Sequence, residues 1–310
     1  MRILVTGGAG YIGSVLVPTL LADGHDVTVV DNFMYAQNSL LDCCHQPGLT
    51  VIRGDARDRR VLAPQVGAAD VLIPLACLTG APLCDKDPLE AKRVNLDAVR
   101  LLLELRGRGQ RVIFPTTNSG YGIGEDGQYC TEETPLRPIS HYGRLKVEAE
   151  RLVLEAGNSV TLRLATAFGV SPRMRLDLLV NDFVYRAVTD GCIVLFQGHF
   201  TRNYIHVRDV ARAFLHVLKQ FDAMAGQPYN VGLSDANLSK RELCEEIKKQ
   251  VPELCVLDAE VRQDIDQRNY IVSNAKIERT GFAPACSLPQ GITELIKAYQ
   301  VIRRSGYANV

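Results

Sequence analysis

Three glycines spaced three apart, Gly7, Gly10 and Gly13, follow directly on the apolar run Ile3-Leu4-Val5 and open a segment of helical periodicity. Strand, glycine turn, helix: that order constrains the fold more than any other feature of the chain. Without a Cβ, the first glycine takes the tight turn. The second lets a phosphate reach the backbone, and the third lets the helix sit close to the sheet. The helix N-terminus then presents free N–H groups and a positive dipole end to a pyrophosphate. A glycine triplet alone is a weak signal, but this one stands in the required strand-to-helix context. Tyr11 and Ile12 fall inside the loop and belong to the same expected dinucleotide site.

The rest of the first half repeats this rhythm. Short apolar runs predict strands over 3–6, 26–30, 49–52, 70–75, 111–114 and 160–164, and periodicity predicts helices over 11–22, 88–105 and 142–155. A polar stretch fills 53–69. Continuous apolar strands with helical crossovers imply an α/β fold, a Rossmann-type doubly wound parallel sheet covered on both faces. Ligands of such sheets lie at the carboxyl ends of the strands. After residue 165 the rhythm loosens. Helices are expected over 176–189 and 207–219, after a Ser239 cap to 250, and from Pro289 to 303, with short strands over 193–196 and 229–231. The expected division is an NAD-binding domain over 1–165, with segments around 200–232 returning to it. A smaller α/β substrate-binding lobe over 166–310 completes it, with the cleft between the two.

Asp31 ends the second strand, 18 residues beyond Gly13. A carboxylate there accepts both ribose hydroxyls of NAD and repels a 2′-phosphate, so NAD is expected over NADP. Asp55, after the third strand, is expected to face the adenine, and Asn32 and Ala56 adjoin these two acids. Leu75, Ala76 and Cys77 end the fourth strand, where small side chains let the cofactor cross the sheet. Tyr142 and Lys146 lie one helical turn apart and share a face. A neighbouring ammonium favours a phenolate, so Tyr142 is expected to have a lowered pKa and to exchange protons with a reacting hydroxyl. The hydroxyl-rich loop after the 111–114 strand supplies Thr117 to hold that hydroxyl, with Thr116, Asn118 and Ser119 around the substrate. Arg173 and Arg175, flanking Met174, add positive charge in a loop of the second lobe.

Four separated motifs in order carry a resemblance that covers nearly the whole chain. They are Gly7-Gly8-Ala9-Gly10-Tyr11-Ile12-Gly13, Tyr142-Gly143-Arg144-Leu145-Lys146, the run Arg202-Asn203-Tyr204-Ile205-His206-Val207-Arg208-Asp209-Val210, and Asp266-Gln267-Arg268 with Asn274-Ala275-Lys276 and Gly281-Phe282. The chain resembles the extended short-chain dehydrogenase/reductase family, in particular its nucleotide-sugar epimerases and dehydratases. The resemblance implies catalytic roles for Thr117, Tyr142 and Lys146, and a supporting role on the cofactor side for Asn95. It implies a contact from Asn181 to the nucleotide diphosphate, and contacts from Arg202 and Arg268 to the diphosphate or nucleoside, where guanidinium forks suit phosphate oxygens. A homodimer built on the 88–105 and 142–155 helices is implied as well.

Two departures bear on the reaction. The family's 4,6-dehydratases place an aspartate and a glutamate after the catalytic threonine, where this chain has Asn118 and Ser119, so dehydration is disfavoured. Its 3,5-epimerases place a cysteine near Ser119, and serine is a far weaker base. The loop Thr117-Asn118-Ser119-Gly120-Tyr121-Gly122 with Ser171-Pro172-Arg173-Met174-Arg175 looks like a subgroup that includes GDP-heptose 4-dehydrogenases. The expected chemistry is oxidation of a sugar C4 hydroxyl on a nucleoside-diphosphate sugar. The ketone is then released, or re-reduced on the other face as in a 4-epimerase. A non-catalytic NAD-binding scaffold or redox sensor, the reading from another class, has no need of Thr117, Tyr142 and Lys146 together.

Composition excludes other classes. Thirty-five basic and thirty-five acidic side chains cancel, and no basic stripe interleaved with aromatics suggests nucleic acid. Nine scattered cysteines without paired spacing predict reduced thiols and no metal site. No apolar run reaches bilayer length, and Gly7-Gly8 ends the first apolar run too early for a signal peptide. No membrane association and a cytoplasmic location are therefore expected.

Overall fold

A computed structural model of the chain describes residues 1–125, 127–259 and 268–302. Seven strands form one sheet in the spatial order Pro228–Val231, Ser159–Leu164, Arg111–Thr117, Val71–Pro74, Arg2–Thr6, Asp26–Asp31, Leu49–Arg53. Every neighbouring pair is parallel. The chain order reverses between Arg2–Thr6 and Val71–Pro74, and the crevice at that switch point is where such sheets bind ligands. Val71–Pro74 and Ser159–Leu164 are buried along their whole length, as central strands under two helical layers must be; in the second, Ser159, Thr161 and Arg163 are buried polar residues. Among the described residues no helix is long and apolar enough to cross a membrane.

Smaller sheets build the second lobe. Thr201–His206 pairs with Thr166–Phe168 on one side and Asn237–Ser239 on the other. Cys192–Leu195 pairs with Cys255–Asp258 in a separate two-stranded parallel sheet. Of the segments around 200–232, the strand Thr201–His206 thus stays in the smaller lobe. The helix Val207–Lys219 packs on Gly13–Ala22, and Pro228–Val231 closes the edge of the large sheet.

Several elements differ from the periodicity reading. The first helix starts at Gly13, since Tyr11 and Ile12 remain in the glycine turn. The polar stretch contains the helix Arg59–Ala68, capped by Asp58 and buried only through Leu62 and Val66; Pro64 and the two leading arginines mask it. The segment 88–105 is Pro88–Lys92, a π-helical stretch Arg93–Asp97, and Ala98–Leu105. The wider turn points Asn95 inward, where its amide donates to the Leu78 carbonyl and accepts from the Leu78 N–H, both at 2.8 Å. The helix expected from 176 begins at Leu179. Capping boxes at Ser239 and Ser287 start the last two long helices. Asp266 and Gln267, named above, and residue 303, the expected end of the last helix, lie outside the described residues.

A partly exposed ion pair beside a buried histidine fastens the second lobe. His206 is fully buried, its Nδ1 accepts the Arg208 N–H at 3.2 Å, and its Nε2 lies 3.2 Å from Glu294. Arg208 meets the same carboxylate at 2.5 Å. Burial alone would raise the Glu294 pKa, but His206 and Arg208 outweigh it and hold the carboxyl at about 2. A depressed folded-state pKa contributes stability above the unfolded value, and that contribution is lost as pH falls through the folded one. Glu294→Gln is therefore expected to flatten the acid limb of stability between its ordinary 4.5 and about 2. Urea unfolding across that range checks it; an unchanged slope would show that the carboxylate is not what titrates.

Candidate active site

The glycine loop is pressed against the exit of the fourth strand. Gly7 has φ +70°, and a Cβ there would lie 2.5 Å from the Ala76 nitrogen. A Cβ on Gly13 would lie 2.5 Å from the Gly8 carbonyl oxygen. Within the described residues no hydrogen bond engages the N–H groups of Tyr11 and Ile12, at the start of the helix Gly13–Ala22. Donors at a helix N-terminus beside a glycine floor fit a pyrophosphate. Asp31 accepts the Ala9 N–H at 2.9 Å and the Phe33 N–H at 2.8 Å. Both oxygens keep acceptor capacity for a ribose diol, so the cradle fits NAD. Asp31→Ala is expected to weaken NAD binding by about 1.5–3 kcal/mol, the worth of hydrogen bonds to a charged group. Calorimetric titration measures it, and an unaltered Kd would remove Asp31 from the site.

A cleft of about 690 Å³ runs from this cradle to the second lobe. Gly7, Gly10, Tyr11, Ile12, Gly13, Asp31, Asn32, Asp55, Ala56, Leu75, Ala76, Cys77, Thr116, Thr117, Ser119, Tyr142, Lys146, Arg173, Arg175 and Arg268 all line it. Asn95, Asn118, Asn181 and Arg202 do not line it. Asn181 is fully buried and spends its amide on the Gly169 N–H at 3.0 Å and the Arg175 carbonyl at 2.8 Å. It shapes the lobe junction and presents nothing to a diphosphate. Arg202 is buried, donates to its neighbour's carbonyl at Thr201, and stacks 5.7 Å from the Tyr270 ring. Asn118 is buried. Asp55 lines the cleft, but Arg57 holds both its oxygens, so its carboxylate serves the Arg57–Glu90 pairing before any adenine contact.

The second lobe completes the cradle. The Tyr11 hydroxyl donates to the Gly169 carbonyl at 2.7 Å, and Ser171 donates to the Tyr11 carbonyl at 2.7 Å. The backbone N–H of Arg173 meets the Ser14 hydroxyl at 3.3 Å, and its guanidinium stacks 3.9 Å from the Tyr35 ring. Arg173 thus stands over the dinucleotide end. Arg175 reaches Thr79 at 2.9 Å and Asp177 at 2.5 Å, nearer the chemical end. Tyr35 and Thr79 were missed from sequence. An aromatic residue four positions past Asp31 and a hydroxyl two past Cys77 were the available signals.

At the far end, Thr117 and Ser119 share a hydrogen bond at 2.8 Å, and Arg268 donates to Ser119. The Lys146 ammonium sits 4.1 Å from the Phe114 ring centre. Burial pushes the Tyr142 phenol well above its ordinary value, the Cys77 and Cys84 thiols add to that, and Arg175 and Arg268 oppose it. Burial also lowers Lys146. This reverses the expectation of a phenol already lowered by its lysine: in so dry a pocket the cost of desolvating a phenolate exceeds what the cations return. Burial raises Cys77, and raises Cys84 to about 12, so neither thiol is a base near neutrality. Among the described residues the cleft carboxylates are Asp31, Asp55, Asp87 and Glu90, each engaged by a backbone N–H or by Arg57.

Comparison with known proteins gives a consistent result. The model of the NAD dependent epimerase/dehydratase family matches residues 3–232. A "Low-salt glycan biosynthesis protein Agl12" of Haloferax volcanii is 30% identical over 96% of this chain and 98% of its own. A "UDP-glucose 4-epimerase" of Thermus thermophilus in complex with NAD superposes with a TM-score of 0.83 at 25% identity, covering 97% of this chain and 99% of that one. The dTDP-glucose 4,6-dehydratase DesIV of Streptomyces venezuelae, with NAD bound, superposes with a TM-score of 0.85 at 26% identity over 98% of each chain.

Proposed function

Because this chain belongs to the NAD-dependent epimerase/dehydratase family and is an NAD-dependent enzyme of nucleotide-sugar chemistry, we propose that it oxidises the C4 hydroxyl of a nucleoside-diphosphate sugar to a 4-keto sugar without expelling water. One observation carries the reading. The glycine cradle, Asp31, Tyr142, Lys146 and Thr117 open onto a single cleft.

NAD, when bound, supplies the hydride acceptor and a positive charge that favours the phenolate. The chain's own residues do the rest. Thr117 orients the substrate hydroxyl, with Ser119 and Arg268 fixing its rotor. Tyr142 takes the hydroxyl proton, and Lys146 holds the resulting charge beside it. Arg175 supplies a guanidinium for the diphosphate. Placement in a dry cleft and electrostatic support of the developing oxyanion provide most of the acceleration. The absence of an uncommitted carboxyl near Tyr142 among the described residues supports a ketone that keeps its C6 oxygen.

The test is incubation of the enzyme and NAD with UDP-, dTDP- and GDP-linked hexoses and a GDP-heptose, following NADH absorbance and the product by NMR. A 4-keto product with stoichiometric NADH marks release; a C4 epimer without NADH marks return of the hydride to the other face. A 6-deoxy product, or no change at C4 with any substrate, would sink the reading. We further assign a homodimer seam to the helices flanking Arg93–Asp97 and to His141–Glu155, the first of which carries Leu89, 59% exposed. Sedimentation of Leu89→Glu against the parent chain tests it: a monomer is expected for the variant.

A further inference from the structure

The two-stranded parallel sheet of the second lobe carries a feature the reaction does not use. Cys192 opens one strand and Cys255 the other, and the two are direct register partners. Register partners on adjacent strands have backbones about 4.8 Å apart and point to the same face. Disulfides span Cα separations of about 4.4–6.8 Å, so the backbone spacing admits a bond. The next pair on that face, Val194 and Leu257, is 49% and 51% exposed, while Ile193 between them is buried. The thiol face is therefore the solvent face. Cys255 is exposed and Cys192 half-buried, and both are free thiols. The Cys192 thiol is raised by burial first and then by its contact with Cys255, which marks the two sulfurs as neighbours.

We propose that Cys192 and Cys255 form a reversible cross-strand dithiol–disulfide site, oxidised by small disulfides of the glutathione class. The exposed Cys255 thiolate attacks oxidised glutathione, forming a Cys255–glutathione mixed disulfide and releasing one glutathione thiolate. Cys192 then attacks the Cys255 sulfur, forming Cys192–Cys255 and releasing the second. Two protein thiols are oxidised, one glutathione disulfide is reduced to two thiols, and the two protons pass to those thiolates. The bond would lie on the solvent face, and exposed disulfides are the readily reduced ones. The site is thus a labile pair and not a permanent staple. Its bond ties the strand that leaves the helix Leu179–Thr189 to the strand that precedes Arg268, a residue of the cleft.

The test is incubation of the purified chain with oxidised glutathione, followed by intact mass, thiol titration after denaturation, and peptide mapping. Expected is the loss of two hydrogens and of two of the nine thiols, a cross-linked peptide pair holding Cys192 and Cys255, and full reversal by a dithiol reductant. Cys192→Ser should stop at one glutathionyl group on Cys255, and a Cys192→Ser, Cys255→Ser double variant should retain its remaining thiols. Retention of nine thiols by the parent chain, a stable glutathione adduct without ring closure, or a bond mapping to other cysteines would each overturn the assignment.

Discussion

Tyr142→Phe is expected to lower kcat about a thousandfold, within the 10²–10⁴ range for loss of a positioned acid–base group, while NAD still binds. The phenol ring is packed and only its oxygen is removed, so the cleft keeps its shape. The cofactor cradle, built from the glycine loop and Asp31, is untouched. Kd for NAD by fluorescence, and kcat with whichever nucleotide sugar the turnover assay selects, are the two measurements. Retention of more than a tenth of the activity would show that the proton leaves by another route. Because burial raises the phenol and the cations around it lower it, Arg268→Gln should move the acid limb of the kcat/KM profile, where the base must lose its proton, upward in pH, with loss of activity near neutrality. That profile tests the electrostatics separately from the chemistry.

The second large effect is on stability. Arg163→Met should destabilise the fold by about 3–5 kcal/mol, the cost of stranding one partner of a buried ion pair. Arg163 and Glu150 have side chains 6% and 4% exposed and meet at 2.6 Å. The same guanidinium donates to the Tyr121 hydroxyl and the Glu132 carbonyl, each at 3.1 Å, and the Tyr121 hydroxyl donates to the Asn230 side-chain oxygen at 2.7 Å. Removing the cation leaves a carboxylate in the interior, one helical turn from Lys146. Urea unfolding of the single variant and of Arg163→Met with Glu150→Met gives the result. The double variant is expected to recover most of the loss, since two apolar side chains leave nothing charged to desolvate. A single variant as stable as the parent chain would mean that the pair is open to water.

What could be read from the sequence was what local spacing dictates. Gly7, Gly10 and Gly13 announce themselves because the turn tolerates no Cβ, and the clashes at Gly7 and Gly13 show why. Tyr142 and Lys146 are one turn apart on any helix, and both line the cleft. The family followed from four such motifs. Orientation was another matter. Arg173, Arg175 and Arg202 look alike in the chain, yet one stacks on Tyr35, one bridges Thr79 and Asp177, and one is walled off beside Tyr270. Which way a guanidinium points is settled by distant segments that no window of sequence contains. The same holds for the Tyr142 proton: the adjacent lysine is visible in the chain, but the dryness of the pocket is not. Asn181 and Asn95 carried motif-like signals and proved to be engaged with backbone at the cleft's margin.

The strand Pro228–Val231 reaches the sheet late, after a long passage through the other lobe. Until it docks, Ser159–Leu164, buried along its whole length in the finished sheet, has one edge unpaired, the kind of surface that recruits strands from other molecules. On the ribosome, then, the nascent Rossmann half cannot finish itself when its own residues have emerged; it must wait some sixty residues more. A message cut short anywhere in that interval yields a polypeptide with an open, sticky flank, fit for chaperones or inclusion bodies.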